Sequence, residues 1–282
     1  MKVQRAFSAI RKHTKENKPL IHCITNPISI KNCANAVLAV GASPIMAEHP
    51  LEVEGITGRS KALALNLGNI TDARMESMQR SARVASENGI PIILDLVGIS
   101  VSPLRLELAR TLADGESVSV IKGNMSEIKT MLGLDSHAAG VDVGAEDRVK
   151  EENLEESIAI VRRLARETGA VAVGSGKIDI LSDGEESYLV KNGTPLLSSI
   201  TGTGCMLTTL IASYLPASKP IEAALCGCVV MGVSGELAEE RCSIAGEAPL
   251  GSMSFELHLI DCISILEDGD LERLATWERR SK

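Results

Sequence analysis

Ile200-Thr201-Gly202-Thr203-Gly204-Cys205-Met206 stands directly before an apolar run, Leu207-Thr208-Thr209-Leu210-Ile211-Ala212. Glycines flank a threonine and the following apolar residues have helical spacing, so the stretch predicts a tight loop that opens into a buried helix. Glycine lets a ligand approach the backbone closely, and the first amides of a helix have no acceptor within it. The loop is therefore a candidate anion site at the positive end of a helix dipole.

Cys205 falls in the first turn of that predicted helix. A helix N-terminus lowers the pKa of a thiol, so we expect this side chain to ionise more readily than a free cysteine. The alternative is a glycine-rich turn that carries a small buried cysteine, because short glycine patterns are common. The rest of the chain has to decide between the two interpretations.

The length and composition fit an α/β protein and argue against two classes of function. The 282 residues fit one large domain or two small ones, and a chain with 44% hydrophobic but only 2% aromatic residues needs an aliphatic core. The net charge of −8 argues against a general nucleic-acid or anionic-membrane binder, which needs basic faces. With no signal-peptide pattern, no apolar run of membrane-spanning length and an odd number of cysteines, seven, we expect a cytoplasmic protein with reduced thiols.

Apolar runs alternate with helical segments through most of the chain. The predicted strands are 19–24, 43–46, 62–68, 91–95, 118–121, 170–173, 178–182 and 186–190. The predicted helices are 1–17, 28–40, 52–56, 71–88, one from 102–103, 126–132, 153–168, 203–214, 220–240, 254–266 and 271–279, with an exposed polar loop over 135–152. This alternation predicts βαβ units in a largely parallel sheet that helices cover on both faces. No linker divides the chain, so we expect a single domain, 1–282.

Polar side chains follow the predicted strands at one edge of the sheet. Ligands of open parallel sheets bind beyond the carboxyl ends of the strands. The residues at those ends are His22 to Asn26, Asp95, Lys122 to Glu127, Ser175 and the loop with Cys205. Carboxylates, a cation, hydroxyls and an anion-binding loop are the groups that metal-assisted phosphoryl transfer requires.

Each of these residues also has a structural interpretation. Asp95 could cap the following turn, Lys122 could be a solvated surface lysine, and Ser175 could be a polar turn residue. Glu127 stands three residues after Asn124, a spacing typical of a capping box. Their shared position at strand ends is what favours a function.

Separated motifs occur in one order along the chain: Asn26, Asn32-Cys33-Ala34-Asn35-Ala36, Gly41-Ala42-Ser43-Pro44-Ile45-Met46, Lys122-Gly123-Asn124-Met125-Ser126-Glu127 and Thr201-Gly202-Thr203-Gly204-Cys205. This order, from about residue 19 to residue 240, resembles the hydroxyethylthiazole kinases of the ribokinase-like group. The resemblance implies a ribokinase-like α/β fold with a mostly parallel central sheet and helices on both faces. It also implies a homotrimer with active sites at the subunit interfaces.

The resemblance implies an activity and a role for each candidate residue. The family uses ATP and Mg²⁺ to phosphorylate the primary alcohol of 4-methyl-5-(2-hydroxyethyl)thiazole in thiamine salvage. The implied roles are catalytic for Cys205, where the wider superfamily has an aspartate base; thiazole-binding for Met46, Asn26 and Gly202; ATP-binding for Lys122, Ser175, Gly202, Thr203 and Gly204; and magnesium-binding for Asp95 and Glu127.

This chain departs from the family pattern at several positions. The family's Asp-Pro-Val-Gly reads Asp95-Leu96-Val97-Gly98 here, without the proline that stiffens the turn. Lys122 replaces the usual arginine and keeps the charge without the planar fork that binds phosphate through two parallel bonds. Ser175 replaces the usual threonine.

Other functions remain open from the sequence. The pyrimidine-alcohol kinase of the same pathway also carries a Gly-Thr-Gly-Cys loop, whereas the segment around Asn26 and 32–35 favours the thiazole enzyme. A non-catalytic nucleotide-binding relative would be compatible with Leu96 and Lys122. A thiol hydrolase would need a base such as His22 within hydrogen-bond reach of Cys205, although a structural histidine is more common.

Overall fold

The computed structural model describes residues 2–115, 117–137, 144, 147–243 and 251–280. The strands of this part of the chain are β1 (Leu20–Ile24), β2 (Ser43–Ile45), β3 (Ala62–Asn66), β4 (Ile92–Asp95), β5 (Val118–Asn124), β6 (Val171–Ser175), β7 (Asp179–Ser182), β8 (Ser187–Val190) and β9 (Trp277–Arg280). They form one sheet in the order β2-β1-β3-β4-β5-β6-β7-β8-β9.

Helices cover both faces of this sheet. Their bounds are α1 (Lys2–Asn17), α2 (Ile30–Ala39), α3 (Val53–Thr57), α4 (Asp72–Glu87), α5 (Pro103–Gly115), α6 (Met125–Met131), α7 (Leu154–Thr168), α8 (Thr203–Tyr214), α9 (Pro220–Cys242), α10 (Ser252–Ile265) and α11 (Asp268–Leu274). Buried side chains of α1, α2, α8, α9 and α10 share one core cluster, and those of α4, α5, α6 and α7 share the other. Strands between two such layers must be apolar on both faces, and β3 is buried at every position.

The sheet is parallel from β2 to β6 and antiparallel from β6 to β9. The predicted mostly parallel α/β fold is therefore confirmed. The carboxyl ends of β1, β3, β4, β5 and β6 consequently lie along one edge, as the sequence predicted. This edge carries the candidate site.

Helix α8 brings the glycine loop to that edge. Its residues from Cys205 to Tyr214 are buried, and the helix packs against β3 and β4. Gly227 of α9 allows close packing, because a Cβ there would lie 2.6 Å from the Ile211 side chain. The predicted buried helix after the glycine loop is thus correct, and Cys226 and Cys228 are buried beside it as core residues.

The predicted helix over 271–279 is wrong in its second half. Helix α11 ends at Leu274, and Trp277–Arg280 forms β9, which pairs antiparallel with β8. The Trp277 ring contacts the rings of Phe7 and Tyr188, so tertiary packing holds this segment at the edge of the sheet. Two arginines and a glutamate make this a charged edge strand, which discourages pairing with another chain.

Two further predictions need correction. Lys122 lies inside β5, because the strand runs to Asn124 rather than ending at residue 121. The predicted loop 135–152 is partly outside the described residues, at 138–143 and 145–146. Within its described part Asp147 is buried and not exposed, since Ser126 and Lys129 of α6 supply hydrogen bonds of 2.7 Å each to its carboxylate.

Helix α9 has the length and hydropathy of a membrane span, and it is the one such helix in the described part of the chain. However, 78% of its apolar window is buried inside the fold. The apolar character of this helix is thus accounted for by its place in the core.

Candidate active site

The Cys205 sulfur is held by two amide groups at the carboxyl edge of the sheet. Asn26, just after β1, places its Nδ2 3.1 Å from Sγ, and Asn66, the last residue of β3, places its Nδ2 3.2 Å from Sγ. The cysteine is 8% exposed. The parallel strands therefore bring Asn26 and Cys205 together, as predicted, and add Asn66.

The expected low pKa of Cys205 is wrong in this structure. Burial raises the pKa of the thiol, and the nearby charge of Asp95 raises it further. Lys122 and hydrogen bonds from Ser29 and Asn26 oppose this shift without reversing it. Loss of solvation is thus the largest effect on this thiol, and the thiol form predominates at neutral pH.

Gly202 is the N-cap of α8 and adopts a left-handed backbone conformation, with φ of 89°. A Cβ at this position would lie 2.7 Å from the Cβ of Ser29, so both the backbone angle and the close approach require glycine. The first bond of the helix joins the Met206 amide to the Gly202 carbonyl at 2.8 Å. The amides of Thr203, Gly204 and Cys205 precede that bond and have no acceptor within the helix.

Lys122 and Asp95 form a buried ion pair beside this loop. The lysine Nζ lies 3.1 Å from each carboxylate oxygen, and the side chains are 5% and 0% exposed. Burial alone lowers the pKa of Lys122, but the charges of Asp95, Cys205 and Glu127 outweigh it and the pKa rises. Lys122 is therefore a buried ammonium and not a solvated surface lysine.

The Lys122 ammonium also faces the glycine loop. A Cβ built on Gly204 would lie 3.4 Å from Nζ, so a side chain at residue 204 would contact the cation. Backbone amides and a fixed positive charge thus border the same space. Both kinds of group favour an anion.

Glu127 has a structural role that the geometry defines. Its Oε2 accepts from the Asn124 amide at 2.7 Å, while the Asn124 side chain accepts from the Glu127 amide at 3.0 Å, which is the capping box of α6. Its Oε1 accepts from the Gly98 amide at 2.8 Å. Burial, and then the charge of Asp95, raise the pKa of Glu127 to about 7 against these hydrogen bonds and Lys122.

The two carboxylates differ in their capacity to bind a metal ion. Asp95 Oδ2 already accepts from Lys122, from Asn66 at 2.9 Å and from Thr208 at 2.7 Å. Each oxygen of Glu127 accepts one amide and keeps a second lone pair. Among the described residues no group of three or more His, Cys, Asp or Glu could hold a metal. Glu127 therefore keeps lone pairs available to a hydrated Mg²⁺, an ion that binds one or two carboxylates together with waters and substrate phosphates, whereas Asp95 Oδ2 is already fully used.

Ser175 and Met46 lie at the two flanks of this edge. Ser175 ends β6 opposite Asn124 of β5, and its Oγ is 3.4 Å from the Gly123 carbonyl oxygen. Met46 directly follows β2, the strand that neighbours β1. The structure thus places Ser175 on the Lys122 side of the site and Met46 on the Asn26 side.

Hydrogen bonds fix the segment that follows Met46. His22 Nε2 lies 2.9 Å from the Ala47 carbonyl oxygen, and Arg74 binds the Glu48 carboxylate at 2.6 and 2.8 Å. The other ring nitrogen, Nδ1, lies 2.8 Å from the Thr57 hydroxyl. Both nitrogens of His22 are thus occupied away from Cys205, and the thiol hydrolase hypothesis loses its base.

Sequence reasoning missed Asn66, Thr208 and Arg74. Asn66 is a polar residue at the end of a buried strand, which is the signal that identified Asp95. Thr208 lies one helical turn after Gly204 and so faces the same edge. Arg74 gave no signal, because its acceptor, Glu48, is distant in the sequence.

The fold and the groups along this edge define a ribokinase-like protein. The structure superposes on a ribokinase-like superfamily protein from Enterococcus faecalis with a TM-score of 0.61, covering 88% of each chain at 14% identity. The similarity to a hydroxyethylthiazole kinase structure from Pyrococcus horikoshii is greater, with a TM-score of 0.86 and 29% identity over 98% of this chain and 100% of the other.

Within that class the chain belongs to the hydroxyethylthiazole kinase family, whose model matches residues 11–268. It is 52% identical over 259 residues to hydroxyethylthiazole kinase 2 of Clostridium botulinum, covering 92% of this chain and 95% of the relative. It is 42% identical over 258 residues to hydroxyethylthiazole kinase 1 of Methanosphaera stadtmanae. The resemblance inferred from the motifs is therefore confirmed.

Proposed function

We propose that this protein uses ATP to phosphorylate the hydroxyl of 4-methyl-5-(2-hydroxyethyl)thiazole, giving the thiazole phosphate of thiamine salvage. The observation that carries the proposal is the convergence of the α8 amides, the Lys122 ammonium and the Cys205 sulfur at one edge of the sheet. These groups provide a site for a transferring phosphoryl group beside a side chain that can orient an alcohol. The names of the relatives support the acceptor and the reaction.

The chain's own groups stabilise the phosphoryl group electrostatically. The amides of Thr203, Gly204 and Cys205 donate to its oxygens, and Lys122 adds a positive charge that needs no rearrangement to act. Ser175 contacts ATP from the end of β6. Asp95 and Glu127 would hold Mg²⁺, partly through water, and that ion would neutralise charge on the β- and γ-phosphates.

Cys205 orients the acceptor hydroxyl and takes its proton late in the transfer. The raised pKa makes the thiolate a minor form at neutral pH, so the rate rises with pH until the thiol ionises. Phosphoryl transfer passes through a loose transition state, so positioning contributes more than the base. Asn26, Gly202 and Met46 bind the thiazole on the β1 and β2 side.

We further propose a cytoplasmic homotrimer with active sites at the subunit interfaces. Helix α2 packs against α10, and large apolar side chains are exposed on and beside this pair of helices. They are Ile28, Leu38, Met253 and Leu257. All seven cysteines are free, as expected in a reducing compartment. Light scattering on the purified protein tests the assembly, and a monomer at assay concentration would contradict it.

A coupled ADP-release assay tests the proposed activity. The protein is incubated with ATP and Mg²⁺ and with the thiazole alcohol, the hydroxymethylpyrimidine alcohol or no acceptor. We expect ADP release that depends on the thiazole alcohol. A preference for the pyrimidine would identify the related kinase of the pathway, and ATP binding without acceptor-dependent ADP release would identify a non-catalytic relative.

A further inference from the structure

Asn66 makes four hydrogen bonds that use the whole capacity of its amide. Its Nδ2 donates to Asp95 Oδ2 at 2.9 Å and to Cys205 Sγ at 3.2 Å. Its Oδ1 accepts from the Gly68 amide at 2.9 Å and from Asn26 Nδ2 at 3.3 Å. The side chain is 2% exposed, so water does not compete for these positions.

These partners fix the orientation of the amide. Asp95 is a carboxylate, and the Gly68 amide can only donate, so a flipped Asn66 would face an acceptor with its oxygen and a donor with its NH₂ group. Asn66 Nδ2 therefore stays directed at the sulfur. Asn26 Nδ2 also donates to Sγ, at 3.1 Å, so the two amides together restrict where the Cys205 side chain can lie.

Gly68 packs directly against the side chains of Asn66 and Asn26. A Cβ on Gly68 would lie 2.9 Å from Asn66 Oδ1 and 3.1 Å from both Cβ and Nδ2 of Asn26. The backbone angle of Gly68 does not require glycine, since it is absent from the residues with positive φ. The absence of a side chain at residue 68 is therefore what lets both amides reach the sulfur.

We propose that Asn66 is a positioning residue, which holds the Cys205 sulfur at the phosphoryl site and links it to the Asp95–Lys122 ion pair. This inference rests on the proposed kinase function. Asn66 lies at the end of β3, between β1 and β4, and is bonded to a residue on each side. Asn66 therefore makes the position of the Cys205 sulfur depend on the position of the Asp95–Lys122 ion pair.

The test is a double-mutant cycle on turnover. We expect Asn66→Ala to lower kcat about 10- to 100-fold, the loss typical of a group displaced by a fraction of an ångström to 1 Å, with little change in KM for ATP. In a Cys205→Ala background the same substitution should have a much smaller effect, because the sulfur that it positions is gone. If Asn66 only stabilised the fold, the two substitutions would act independently, and the fold-losses in kcat of the single variants would multiply in the double variant. Asn88→Ala, which removes an exposed asparagine bonded to the Val84 carbonyl oxygen, is the matched control.

Gly68→Ala provides a second cycle that keeps every polar group. It should lower kcat by displacing both amides, and its effect should also shrink in the Cys205→Ala background. If Asn66→Ala does not fold, this variant decides the question. If the substitution lowers kcat by the same factor with and without Cys205, the inference is overturned, but the proposed kinase function is not affected. A wild-type protein without acceptor-dependent ADP release would refute the proposed function, and this inference with it.

Discussion

The Lys122 ammonium lies 3.1 Å from both carboxylate oxygens of Asp95, and neither side chain is more than 5% exposed. Asp95 ends β4, Lys122 lies inside the neighbouring strand β5, and the two residues face each other in the register of these strands. A cation that the family resemblance assigns to ATP is thus bound to a carboxylate assigned to the metal. The ion pair therefore fixes the positions of the Lys122 ammonium and the Asp95 carboxylate relative to each other.

Removing the lysine should therefore destabilise the fold. Lys122→Met leaves Asp95 buried without its counter-ion, and breaking a buried pair from one side typically costs about 3–5 kcal/mol. Urea unfolding measures this free energy, and Lys61→Met on the surface is the matched control. An unchanged midpoint for Lys122→Met would show that Asp95 does not need the lysine.

Substitutions of Cys205 separate the base from the phosphate site. Cys205→Ser should lower kcat and leave ATP binding intact, because the backbone amides remain. A positioned general base contributes about 10²- to 10⁴-fold, and we expect the lower end here because the transition state is loose. Cys205→Asp should keep or raise the activity. Turnover and ATP affinity are measured on each variant, and a Cys205→Ala protein as fast as wild type would refute the role of the sulfur.

Gly202→Ala should disrupt the loop in two ways, through its backbone angle and through a steric clash. A non-glycine residue in the left-handed region costs about 1–2 kcal/mol, and the new Cβ would also meet that of Ser29. We expect a lower melting temperature and a large loss of turnover. Gly251→Ala, at the N-cap of α10 with nothing within 4 Å of its added Cβ, is the control. Equal stability and activity for the two variants would contradict the geometry assigned to Gly202.

His22 should make stability depend on pH in a defined direction. Burial lowers the pKa of His22 below 6.5, so between pH 6.5 and that lower value the unfolded chain binds a proton that the folded chain does not. This contribution is fully present above about pH 6.5 and is lost as the pH falls, at up to about 1.4 kcal/mol per pH unit. Urea unfolding of wild type and His22→Gln across this range measures the difference. The same pH slope in both proteins would contradict the assignment.

The sequence predicted every strand of the sheet except β9, the mostly parallel direction of the strands, and the polar residues along their carboxyl ends. It could do so because buried strands between two helical layers are apolar throughout, and polar residues such as Asn26 and Asp95 stand out where the strands end. The prediction of a helix over 271–279 was wrong in its second half because pairing with β8 and the contacts of Trp277 override a local helical pattern. The spacing of apolar residues along the chain carries no information about such tertiary contacts.

Within the candidate site, the positions of the residues were easier to predict than their electrostatics. The position of Cys205 follows from the glycine loop, but its raised pKa depends on burial and on Asp95, which is distant in the sequence. Asn66 carried the same signal as Asp95, a polar residue at the end of a buried strand, but it lies outside the motifs on which the prediction of the site relied. Its hydrogen bonds form only when Asn26, Asp95 and Cys205 are brought together from three different elements.

A crystal structure with a non-hydrolysable ATP analogue, Mg²⁺ and the thiazole alcohol tests the central claim most directly. We predict that the terminal phosphate accepts hydrogen bonds from the amides of 203–205 and that the alcohol oxygen lies beside the Cys205 sulfur. A complex in which both molecules are bound far from residue 205 would contradict the account.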